Sequence, residues 1–162
     1  MNGARETGMT GSLSTYEKEE RTPGETMPDG TIFAGISPDT QQPMYTTPAD
    51  APMTMTWSDA MNYASRLDAH GHQDWRLPTK AELNVLWENR DKGGLKGTFS
   101  ETGSVPAGWY WSSTENHEYS HAWDQRFSDG FQSWDYKFFD SSLRCVRESR
   151  PLRPGEDDAE GG

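Results

Sequence analysis

Eleven of the chain's nineteen aromatic residues lie between Trp109 and Phe139, and only 31% of the chain is hydrophobic, so this clustering decides where a core can form. The eleven are Trp109, Tyr110, Trp111, Tyr119, Trp123, Phe127, Phe131, Trp134, Tyr136, Phe138 and Phe139. Each buries far more area than a Val or Ala, so a few anchors of this kind can hold a small domain together. Trp109, Trp111, Trp123 and Phe127 are expected inside. Tyr119, Phe131, Phe138 and Phe139 are expected at least partly outside.

The 162 residues suit one domain with tails. The formal charge of −11, with no Lys/Arg block, argues against binding nucleic acid through its phosphates. A single cysteine, Cys145, rules out an internal disulfide framework. No apolar run approaches the ~20 residues that span a bilayer, and the first twenty residues carry no apolar signal core. The expected location is therefore the cytosol or a larger particle or surface assembly that carries the chain.

Residues 1–28 read as a flexible arm rich in Gly, Thr and Glu, which would dock the domain on such an assembly, and 150–162 as an acidic disordered tail. The fold is expected over 29–149. Thr31 to Ile36 and Pro43 to Thr47 have strand character on either side of a Ser-Pro-Asp turn. Two helices follow. Thr56 caps a stripe of Trp57, Ala60, Met61, Ala64 and Leu67 that runs to Gly71. Thr79 and Glu82 form a capping box before Leu83, Leu86 and Trp87, with Gly93-Gly94 as the stop. Beyond a Gly-, Ser- and Thr-rich loop the chain reads as strand and turn, closed by Leu143 to Arg147. Strands at both ends with helices between them predict an α+β domain.

Asp129-Gly130 favours a two-residue hairpin turn, which would pair Ser128 with Phe131 and set Asp124 opposite Asp135. Alternation then puts Trp123, Gln125, Phe127, Gln132, Trp134 and Tyr136 on a core face. Asp124, Arg126, Ser128, Phe131, Ser133 and Asp135 fall on an outward face. Two facing carboxylates need compensation, expected from Arg126 and Lys137, with a bound cation as the alternative.

Four strings carry a family likeness: Asp74-Trp75-Arg76-Leu77-Pro78-Thr79-Lys80-Ala81-Glu82-Leu83, Trp109 to Ser113, Ala122 to Gly130, and Leu143 to Arg147. In this order they resemble the Lcl C-terminal domain family, named for the tip of a collagen-like bacterial adhesin, and the resemblance covers Gly30 to Arg147. That family is similar in fold to the formylglycine-generating-enzyme branch of C-type-lectin-like domains. The resemblance therefore implies a C-type-lectin-like α+β fold, with two helices against small mixed or antiparallel sheets and the N- and C-terminal strands close together. The motif residues themselves read as scaffold. Domains of this type also serve as variable proteins of diversity-generating retroelements, and 116–121 and 131–142 have the Asn, Tyr, Ser, His, Asp and Phe flavour of their diversified positions.

Formylglycine-generating enzymes rely on two cysteines that bind copper; only Cys145 is present here. His70 and His72, and His117 and His121, match no zinc spacing, and Ser112-Ser113 lacks a nucleophile-elbow context. No catalytic residue, cofactor or metal is expected. The inventory favours a non-enzymatic recognition domain of adhesin or phage-receptor-binding type, with a protein or carbohydrate ligand and with oligomerisation left open. The candidate ligand-binding residues are Asn116, His117, Tyr119, His121, Asp124, Arg126, Ser128, Phe131, Ser133, Trp134, Tyr136, Phe138 and Phe139. Trp134 and Tyr136 belong to this set although alternation directs them inward. The competing readings are a structural decoration or tip protein of a phage-like particle and, behind it, a formylglycine-generating-type oxidoreductase.

Overall fold

The computed structural model describes residues 21–116 and 120–149. Two three-stranded antiparallel sheets and two α-helices make a small α+β fold. The first sheet joins the ends of the chain. Its strands β1 (Ile32–Ile36), β2 (Pro43–Thr46) and β6 (Val146–Glu148) lie in the order β1-β2-β6. Strands β3 (Trp109–Asn116), β4 (His121–Arg126) and β5 (Gln132–Tyr136) form the second sheet, with β4 in the middle. The terminal strands therefore share one sheet, as expected.

Helix α1 (Trp57–Arg66) starts where the Thr56 hydroxyl accepts the Asp59 amide, which satisfies one of the unpaired N–H groups of the first turn. Its Ala60 and Ala64 are fully packed. The helix stops well before Gly71. His70 and Gly71 both have positive φ, and Ala69 and His72 exchange two backbone hydrogen bonds across them, so Gly71 belongs to a tight turn of its own. Helix α2 (Lys80–Glu88) has the expected capping box, with Thr79 and Glu82 each bonding the other's backbone amide. It also ends early. Asn89 donates its side-chain amide to Ala34 O at 2.8 Å, tying the helix end to β1, and Gly93-Gly94 instead form a 3-10 turn.

Two hydrophobic clusters flank the second sheet. One gathers Ile32, Ala34 and Met44 of the first sheet with Leu83 and Leu86 of α2, and it takes in Tyr110 and Phe127. The other gathers Ala60 and Ala64 of α1 with Trp75, Leu77, Trp111, Ala122, Leu143 and Cys145. Tyr110 and Trp111 are consecutive on β3 and point to opposite faces, so the sheet is covered on both sides. Trp111 donates its indole N–H to Met55 O, and Trp57 donates its own to Ser112 O.

The family motifs brace one another. Arg76 makes two bonds to Glu82 and one to Glu148, while Glu82 also accepts from Ser37 and Thr79. Burial alone would raise the Glu82 carboxyl, but these donors outweigh it and hold the group below its usual range. Asp74 holds Arg147. Arg144 is fully buried against Asp50, Thr47 O, Thr98 O and the Phe99 ring, and Tyr110 donates to the same Asp50 at 2.6 Å. These residues are scaffold.

Two boundaries differ from expectation. Gly24 and Met27 donate to Phe33 O and Thr31 O, so 21–28 is hydrogen-bonded to the start of β1 and does not belong to a free arm. Leu143 to Cys145 precede the last strand, because Ser142 instead bonds the outer edge of β3. The remainder of the expected arm and the tail from 150 lie outside the described residues. Among the described residues no helix is long and apolar enough to cross a membrane.

Candidate functional site

The β4–β5 hairpin differs from the predicted one by two residues. His121 pairs with Tyr136, Trp123 with Trp134, Asp124 with Ser133, and Gln125 with Gln132. Arg126 and Phe131 close a four-residue loop, Phe127 to Gly130, in place of the two-residue turn that would have paired Ser128 with Phe131. The cause is Phe127. It is fully buried between Phe99 and Tyr110 and donates its amide to Gly108 O, which takes it out of the ladder. Asp129 then pairs with Arg126 and accepts the Phe131 amide. Gly130, at φ 83°, lies flat against Trp87, where any Cβ would strike the indole.

A slip of two residues keeps side-chain parity, so the two faces hold the expected residues. Which face is inside follows a different rule. β4 is buried on both faces, and His121 and Asp124, expected on the surface, are 6% and 1% exposed. His121 is covered by Trp134 (stacked, ring centroids 4.7 Å apart) and Tyr136, and Asp124 lies on the Trp111 side of the sheet. β5, by contrast, is an edge strand. Trp134 and Tyr136, which alternation directs inward, are 44% and 46% exposed.

The chain turns at Lys137 and carries Phe138 and Phe139 around the end of β5. Tyr136 stacks on Phe138 at 5.1 Å, and Phe139 meets both rings edge-on. Trp134, His121, Tyr136, Phe138 and Phe139 thus form one continuous ridge, with every member but His121 substantially exposed. Phe131 is exposed apart from the ridge, its ring edge-on to half-buried Trp109 and beneath the Arg126 guanidinium. Ser128 is exposed beside Gly103, and Asn116 is half-buried at the end of β3. His117 and Tyr119 lie outside the described residues. Trp123, expected inside, is half-buried under the Lys80 ammonium at 3.5 Å.

On the other face a cleft of roughly 480 Å³ opens beside β5. Its apolar walls are Val105, Pro106, Trp109 and Phe139; its polar ones are Ser133, Asp135, Asp140 and Ser141. Behind the wall lies Asp124, close to Asp135 on the neighbouring strand. The expected compensation by Arg126 and Lys137 is absent. Arg126 is taken by Asp129, and Lys137 by Glu115 and the Trp57 ring. Both Asp124 oxygens are buried, and neither accepts a hydrogen bond from a donor among the described residues. Burial first, then the adjoining Asp135 carboxyl, pushes Asp124 up to about 9, so it keeps its proton at neutral pH.

Sequence reasoning missed most of this cleft. It placed Trp109 in the core and passed over Val105, Pro106, Asp140 and Ser141, which join β5 only through loop packing. Its visible traces were Ser133 and Phe139, named as ligand-binding, and the expected facing of Asp124 and Asp135.

The thiol of Cys145 is buried in the second cluster and pushed up to about 12 by that burial, against the opposing pull of Arg144. His72 is tied to Asp29 at 2.8 Å, and His70 bonds Asp29 O. Among the described residues no group of three His, Cys, Asp or Glu is placed to hold a metal ion.

No curated protein matches this chain in sequence. The family model of the Lcl C-terminal domain matches residues 36–147, from the last residue of β1 into β6, and takes in all four motifs. The chain belongs to the Lcl C-terminal domain family.

Proposed function

We propose that this chain is a non-enzymatic recognition domain of C-type-lectin-like fold and adhesin or receptor-binding type. Its ligand is a protein or a glycan, met by the aromatic ridge of β5 and the turn that follows. One observation carries the reading: Trp134 and Tyr136 on edge strand β5, bridged by His121, and Phe138 and Phe139 in the turn that follows form a chain of ring contacts and remain open to solvent. Contiguous exposed aromatic surface is costly to maintain and marks interaction sites. Rigid rings interleaved with Ser, Asp and Gln supply contact area at low entropic cost, and the same rings stack on sugars. Membership of a family named for an adhesin tip supports the same conclusion, and so does the pairing of terminal strands in one sheet for the lectin-like fold. The inert state of Cys145 weighs against thiol oxidase chemistry.

The test is a triple variant, Trp134→Ala, Tyr136→Ala and Phe138→Ala, screened beside the wild type on a glycan array and a panel of cell-surface proteins. Loss of the wild-type signal with an unchanged thermal midpoint supports recognition by the ridge. Retained binding, or a triple variant that unfolds, sinks it.

A further inference from the structure

We propose that the cleft beside β5 is a binding site for an alkylammonium group. It is distinct from the aromatic ridge, with which it shares only Phe139, and the proposal holds whether or not the ridge takes a ligand. A cavity of roughly 480 Å³ is of ligand size. Its walls make two demands at once. Val105, Pro106, Trp109 and Phe139 ask for an apolar stem, and Asp135 and Asp140 ask for positive charge. An alkylammonium meets both, with aromatic faces adding cation–π attraction.

The alternatives each leave one demand unmet. A hard metal ion wants six or more oxygens and would waste the apolar walls. A neutral sugar would leave the carboxylates desolvated and uncompensated. An anion would be repelled by these acids and by a chain of net charge −11.

Local charges point the same way. Among the described residues no Lys or Arg forms an ion pair with Asp124, Asp135 or Asp140. Arg126, on the β4 position opposite Trp109, places its guanidinium 5.2 Å from the Trp109 ring, but its charge is held in a two-bond pair by Asp129. Behind the wall Asp124, a fully buried carboxyl, adjoins Asp135 on the sheet face that Ser133 and Asp135 share with the cleft, so a third acid stands next to the site.

The experiment titrates the full chain with n-butylammonium, 1-butanol, calcium chloride and the peptide acetyl-Gly-Lys-Gly-amide. It follows the Trp109 indole and the Ser133 and Asp135 amides by ¹H–¹⁵N NMR, with Trp109→Phe for assignment. Butylammonium should move these signals saturably, and butanol at least tenfold more weakly. Asp135→Asn should lower the affinity at least fivefold with the rest of the spectrum in place. Asp140→Asn, on the surface, serves should Asp135→Asn fail to fold, and should weaken binding in the same direction. Tighter binding of the peptide than of butylammonium assigns the group to a lysyl side chain, and the reverse assigns it to a free amine. The proposal is overturned if butanol binds as well as butylammonium, if calcium alone moves the signals, or if the folded Asn variant keeps full affinity.

Discussion

β4 and β5 each carry a Trp-Asp pair, and the two pairs meet opposite fates. On β4, Trp123 is half-buried under Lys80 and Asp124 is sealed away from water. On β5, Trp134 stands open to solvent and Asp135 lines a cleft. Trp123 sits across from Trp134, and Asp124 and Asp135 share the other face of the sheet, so neither residue type nor side-chain parity separates the pairs. Position in the sheet does. A central strand has a neighbour on both edges, and in this fold α1 and α2 cover both of its faces. The edge strand keeps β4 on one side only, and its Trp134 and Tyr136 stay open to solvent.

The comparison breaks most visibly if the two strands respond alike to truncation. Phe127→Ala, at the buried end of the β4 ladder, should cost about 3–5 kcal/mol in urea unfolding, because a fully packed ring leaves a cavity between Phe99 and Tyr110. A cost near that of a surface change would mean that the loop tolerates collapse and that the four-residue turn is not set by Phe127.

A smaller effect, with a pH signature, belongs to Asp124. Its folded-state pKa is raised, so between about pH 4 and about pH 9 the folded chain holds a proton that the unfolded chain releases. Stability therefore falls as pH rises through that window and levels off above it. Asp124→Asn cannot lose a proton, and its amide can donate to Asp135, a bond worth about 1.5–3 kcal/mol when the acceptor is charged. Thermal melts at pH 4.5 and pH 8 should show the variant gaining on wild type by more than about 1.5 kcal/mol across the interval. Parallel pH curves for the two proteins would show that Asp124 is ionised in the fold.

The smallest effects belong to the edge. Single changes at Trp134, Phe138 or Ser128 to almost any polar residue should stay within about 0.5 kcal/mol of wild type. A library randomised at these exposed positions should remain folded by circular dichroism while its binding specificity changes. Widespread early melting in that library would place the ridge in the core and erase the distinction between the strands.

Local chemistry was legible in the sequence, and the assembly of loops was not. Thr56 and the Thr79–Glu82 box mark both helix starts, because a cap is a contact within four residues. Both helix stops were misplaced, since Asn89 ends α2 by reaching Ala34 and Gly71 serves a turn. Within the hairpin, alternation sorted the faces properly, but it carries no information about how many faces are covered. That is why Asp124 was taken for surface and why alternation directed Trp134 and Tyr136 inward, while His121 was read as part of a loop. The cleft brings 105–109, 133–135 and 139–141 together through packing that leaves no periodic trace.

The burial of Cys145 has a practical consequence. The chain has one cysteine, and its thiol is both covered and held protonated, so maleimide reagents should find the native protein nearly blank. A Phe138→Cys variant would then offer a single fast-reacting site on the ridge. A solvent-sensitive dye attached there would report ligand arrival as a change in emission, with no competing label elsewhere on the molecule. The buried, unreactive thiol is what leaves the domain ready to be built into a sensor.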